Sequence, residues 1–225
     1  MKQAIVLSFL LLIGSLAGCL GDEKIDYSDF EGCADDEEGE ECTVEVNHES
    51  GTLENQSVPL IEGLARSMNG EWTNWSSADL FVDTDKWVLI QFAATDCGHC
   101  WNGAELMSQL HENYSDDVTF ISFIINFSWS NSNLSEIAAF QDEANFSGCN
   151  NDKNNCNERP GLPHNWTYFD DRDMQWLREF SMPGTPAYVV IQPDGIVGWH
   201  QQQRNEHISE FLNYKFTLTE GEMEY

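Results

Sequence analysis

The stretch WVLIQFAATDCGHC, Trp87 to Cys100, constrains the chain more than any other. Its first eight residues are an apolar run of strand length, interrupted only by Gln91. A run without polar alternation suits a strand buried on both faces of a sheet. From Cys97 the period changes. Ala104, Met107, Leu110 and Tyr114 recur at helical spacing and predict an amphipathic helix over 97–114. Cys97 and Cys100 therefore stand where a buried strand gives way to a helix. Read alone, two thiols so placed are a redox pair, half of a metal site, or a structural pair.

The remaining pattern limits the fold. VTFISFIINF, Val118 to Phe127, is a second buried strand. SNLSEIAAFQDEANF reads as a helix opened by a capping box, Ser132 to Ser135–Glu136. NWTYFDD is a short strand and DRDMQWLREF a short helix. PAYVVIQ and GIVGWHQ flank the turn signal Pro193-Asp194-Gly195 and predict a hairpin. A closing helix is expected over 206–218. The class is α/β: a mixed sheet flanked by helices on both faces.

With these elements in place, the chain resembles the thioredoxin superfamily. The resemblance rests on Cys97-Gly98-His99-Cys100 between strand and helix, and on Thr185-Pro186 at the head of the hairpin. SADLFVDTDKWVLIQFAATDCGHC, Ser77 to Cys100, is similar to the active-site approach of the membrane-anchored TlpA and ResA type. So are the extra helix and strand inserted before the hairpin. The resemblance implies a thioredoxin-like fold, a cis Pro186, protein thiols or disulfides as substrates, and no cofactor or metal. It assigns Cys97 and Cys100 as the catalytic redox disulfide, with Thr185 and Pro186 as substrate-contacting residues; Trp101, just after the motif, is either part of the substrate surface or a core or simply exposed residue. The physics agrees: a helix N-terminus lowers the pKa of Cys97, and Cys100, one turn in, is the resolving thiol. His99 and Asp96 tune the pair in opposite senses, and Gly98 completes the loop. Gln91 departs from the family, which carries a buried aspartate there. Asp96 stands in place of a tryptophan. A metal-delivery protein on the same fold is the alternative, although that family spaces its cysteines by three residues. The Thr-X-X-Cys pattern of peroxidases is absent.

The N-terminus adds a location. Residues 1–18 have the layout of an export signal: Lys2, the apolar run Ala4 to Ile13, then small residues. Leu16-Ala17-Gly18-Cys19 resembles the lipobox of prokaryotic lipoproteins, which implies lipidation of Cys19 and a membrane anchor. From Asp22 to Glu54 fourteen acidic residues face one basic residue, Lys24, so residues 19–54 read as an acidic, disordered tether. The thioredoxin-like domain then spans 55–225. The net charge of −29, from 39 acidic and 10 basic residues, excludes nucleic acid as a partner. With Cys19 set aside, six of the 7 cysteines remain, an even number that favours disulfides in an exported chain. Cys33–Cys42 and Cys149–Cys156 are the structural candidates, with a metal site involving His164 the runner-up for the second. Sequons at Asn55, Asn74, Asn113, Asn126, Asn133, Asn145 and Asn165 point to a glycosylated surface.

Overall fold

Seven residues from Trp87 to Ala93 form strand β3, and all but Trp87 are buried. The computed structural model describes residues 51–81, 85–129 and 131–221. Cys19, Cys33, Cys42 and the export and anchor signals lie outside the described residues. In chain order the elements are β1 (Glu62–Arg66), β2 (Thr73–Ser76), β3, α1 (Gly98–Tyr114), β4 (Val118–Ile124), α2 (Leu134–Asp142), β5 (Ser147–Gly148) and α3 (Cys149–Asp152). There follow β6 (Asn154–Asn155), β7 (Thr167–Asp170), α4 (Gln175–Glu179), β8 (Ala187–Ile191), β9 (Val197–His200) and α5 (Ile208–Gly221).

The main sheet has the order β2-β1-β7-β4-β3-β8-β9. β3, β4 and β7 are parallel, and β8 returns antiparallel to β3. The sheet is mixed, as expected. The β1–β2 hairpin was not foreseen; it extends the sheet antiparallel beyond β7. At the opposite edge, Asn55 and Val58 donate amides to Val197 and Gly195, and Val197 donates to Gln56. Thr52 is buried, and Glu54 pairs with Arg204 at 2.6 Å. Residues 51–54, read from composition as tether, thus pack on the domain.

Strand alternation gives the sheet two unlike faces. On one, Phe180, Phe92, Phe123, Phe169 and Trp75 make ring-to-ring contacts across the strands. On the other, Tyr188, Gln91, Ser122 and Tyr168 stand in register on four neighbouring strands. The His111 ring of α1 meets Phe120 and Trp166 on this second face. The Ser122 hydroxyl donates to Gln91 Oε1 at 2.9 Å and accepts from Trp166 Nε1 at 2.9 Å. Each buried polar group in this row therefore has a partner, as desolvation requires.

α2 begins one residue later than its expected cap. Asn133 is the N-cap, accepting from the amides of Ser135 and Glu136. The Ser132 hydroxyl turns instead to Thr95 and to Glu136. Among the described residues, no helix is long and apolar enough to cross a membrane.

Candidate active site

β3 delivers Thr95, Asp96 and Cys97 to the N-terminus of α1. Cys97 is the N-cap, with φ −83° and ψ 112°, and its sulfur accepts the Cys100 amide at 3.1 Å. A sulfur here takes the place of the usual capping oxygen. Both thiols are free and buried, at 7% exposure for Cys97 and 2% for Cys100. The Thr185–Pro186 peptide bond is cis, and the Cys97 thiol lies 3.5 Å from the Thr185 carbonyl. The structure therefore brings Cys97, Cys100, Thr185 and Pro186 together, as the sequence predicted.

The environment separates the two sulfurs. The pKa of Cys97 is lowered from 9.0 to about 6, chiefly because the Cys100 thiol donates to its thiolate. Burial opposes this; the Thr185 hydroxyl and the amides of Cys100 and His99 reinforce it. Cys100 is raised well above its ordinary value, first by burial and then by its charged neighbour. The Thr185 hydroxyl is shut off from solvent and has no hydrogen-bond partner of good geometry. A hydroxyl beside the pair favours a charged sulfur, and Thr185 lowers the pKa of both.

The other expected site residues divide. Gly98 and His99 are exposed at the first turn, and His99 acts on Cys97 through its amide. The Asp96 carboxylate accepts the Asn151 amide at 3.2 Å. Of the readings open for Trp101, the structure takes the core: at 7% exposure it packs edge-on against Phe140 of α2, and the substrate-surface reading falls. It lies three residues before Ala104, on the same buried helical stripe. Cys149 and Cys156 form the expected disulfide, which removes them from any metal site. His164 is a core histidine. Its Nε2 lies 2.8 Å from the Arg159 guanidinium and 3.2 Å from the Ala104 carbonyl, and its Nδ1 lies 2.6 Å from the Tyr168 hydroxyl. Burial holds it neutral.

Sequence reasoning missed three neighbours of the pair. Glu136 is buried beside Thr95 and Ser132, and desolvation raises its pKa. Tyr188 stands in register with Gln91 and is raised mainly by burial, with Cys100 adding to it. The hairpin 147–156 lies against residues 95–98, and its Asn-Asn-Asp turn was the readable signal.

A buried strand feeding a cysteine-capped helix, faced by a cis-proline loop from an antiparallel neighbour, decides the fold. It is thioredoxin-like. The chain is similar in structure to the reduced 2-Cys peroxiredoxin of Plasmodium vivax, with TM-score 0.53 and 14% identity over 76% of this chain and 99% of that one. It is also similar to a thiol:disulfide interchange protein from Bacteroides sp., with TM-score 0.52 and 15% identity over 76% and 96%. At these identities the likeness concerns the thioredoxin-like fold alone. No protein-family model and no curated protein matches the sequence.

Proposed function

We propose that the chain is an extracytoplasmic thiol–disulfide oxidoreductase that exchanges disulfides with other proteins and is held at the membrane through lipidated Cys19. The observation that carries the chemistry is the asymmetry of the pair: a helix-capping Cys97 with its pKa lowered to about 6, beside a buried, protonated Cys100.

In the reducing direction, the Cys97 thiolate attacks one sulfur of a substrate disulfide. A mixed disulfide forms and the other substrate sulfur leaves as a thiolate, which takes a proton. Cys100 gives up its proton and its sulfur attacks Cys97 Sγ. The second substrate sulfur leaves, the substrate is reduced, and Cys97–Cys100 is oxidised. The oxidising direction is the reverse. The polar row beneath α1 supplies no base for Cys100. Gln91 does not titrate, and Tyr188 and Tyr168 are both raised by burial. The departing substrate thiolate and solvent are the available acceptors. An extended substrate segment pairs with the backbone at Thr185, beside the cis Pro186.

The metal-carrier alternative needs a third ligand. Among the described residues, no group of three His, Cys, Asp or Glu side chains is placed to hold an ion. The location rests on the export-signal layout and on Leu16 to Cys19.

The test is the reduction potential of Cys97–Cys100 in the full-length chain. The protein is equilibrated in graded glutathione buffers and its free thiols are counted by mass. We expect a reversible two-electron titration nearer about −180 mV than about −270 mV, because a stabilised thiolate favours the reduced form. A pair that never titrates would sink the proposal.

A further inference from the structure

The hairpin closed by Cys149–Cys156 does more than staple a loop. Its turn holds Asn150, Asn151 and Asp152 in succession at φ 56°, 58° and 59°. Asn and Asp tolerate this left-handed region better than most residues. Two amides of the turn reach the segment that enters the active site. Asn150 donates to the Thr95 carbonyl at 2.9 Å, and Asn151 donates to Asp96 Oδ1 at 3.2 Å. The Asn150 side chain is tied back to Asn154 at 2.8 Å, and its Oδ1 lies 3.5 Å from where a Cβ on Gly98 would stand. Both cysteines of the staple are fully buried.

Asp96 is covalently next to Cys97. A carboxylate at that position opposes a thiolate by like charge wherever it turns toward the sulfur. We propose that the disulfide-closed hairpin 147–156 is a positioning element for the redox pair, holding the Asp96 carboxylate on the Asn151 amide and its charge away from the Cys97 sulfur. The inference rests on the reading of Cys97–Cys100 as an exchange pair. Other titratable groups on the elements around this corner include Glu136 on α2, Asp152 and Lys153 on the hairpin, His99 and Cys100 on α1, and Tyr188 on β8. Glu136 is engaged by Ser132. Asp96 is the carboxylate next to Cys97 in the chain. Cys97 is moved mainly by burial and by hydrogen bonds from Cys100, Thr185 and His99, whereas the Asp96 charge is felt at Glu136, whose pKa it helps to raise.

The experiment follows the pH dependence of Cys97 alkylation in the reduced full-length chain, read by mass. Four forms are compared: wild type, C149A/C156A, D96N, and the triple variant. Opening the hairpin should raise the alkylation midpoint by about one pH unit. In the triple variant the midpoint should return to that of D96N. An unchanged midpoint in a folded C149A/C156A would overturn the proposal, and so would an upward shift that survives D96N. If C149A/C156A fails to fold, the wild type still decides. The Asn151 amide proton resonance should move as Asp96 titrates and should lose that movement in D96N; a resonance indifferent to Asp96 would overturn the proposal. Failure of the exchange reading looks different: the wild-type midpoint would then lie near that of an ordinary thiol.

Discussion

The two described cysteine pairs are neighbours, linked by hydrogen bonds from the hairpin turn to residues 95 and 96, yet they are prepared for opposite fates. Cys97 and Cys100 are free thiols with widely separated acidities. Cys149 and Cys156 are joined and fully buried. Both pairs are short-range in sequence, so spacing does not distinguish them. The difference lies in what surrounds each sulfur. Cys97 caps a long helix and collects hydrogen-bond donors. The Cys149–Cys156 sulfurs sit in apolar surroundings that exclude a competing thiolate, and only a thiolate attacks a disulfide.

The strongest way to break this contrast is substitution. Cys97→Ser should reduce disulfide exchange to the uncatalysed background, and Cys100→Ser should accumulate a mixed disulfide visible by mass. C149A/C156A should retain exchange. Loss of exchange in a folded C149A/C156A that D96N does not restore would show that the second pair takes part in the chemistry. The next effect is on stability. Removing the Cys149–Cys156 cross-link should cost about 2–3 kcal/mol, from the entropy of an eight-residue loop, measured by urea unfolding. Cys97→Ser should cost less at pH 5, where its thiolate is largely absent.

A pH series sharpens the comparison. The Cys97 pKa is depressed on folding from 9.0 to about 6. Its thiolate therefore stabilises the reduced native state increasingly as pH rises from about 6 toward 9, and that contribution is lost as pH falls through about 6. The raised Cys100 acts in the opposite sense above pH 9. The urea midpoint of the reduced wild type should rise relative to Cys97→Ser between pH 5 and 8. A constant gap would contradict the depressed pKa. The smallest expected effect is that of Gly98→Ala. The added methyl meets Asn150 Oδ1 at 3.5 Å, an ordinary contact, so stability should change by no more than about 0.5 kcal/mol.

Much of this architecture was legible because local patterns and tertiary demands agree. The apolar runs at 87–94 and 118–127 became β3 and β4, and the cysteine-to-helix transition fell where the period changes. Thr185-Pro186 was placed by its position before a strand. What escaped depends on distant partners. Glu62–Arg66 and Thr73–Ser76 show little alternation, and β1 becomes a strand by pairing with β7, about a hundred residues on. Ser132 and Asn133 are equally good caps by type; Thr95 and Glu136 draw the Ser132 hydroxyl away. Trp101 stood open between a substrate surface and the core, and its helical phase with Ala104 favours the core position that it takes.

The segment 55–58 along β9 has a practical bearing on how the domain is cut from its chain. An open strand edge presents unpaired amides and carbonyls to other molecules. Here Asn55, Gln56 and Val58 occupy those groups on the β9 side. A fragment trimmed to residue 59 would bare that edge, leaving the Gly195 and Val197 backbone groups unpaired, and invite end-to-end oligomers. A fragment beginning before Gly51 would keep the seam closed and stay monodisperse at concentrations where the shorter one precipitates.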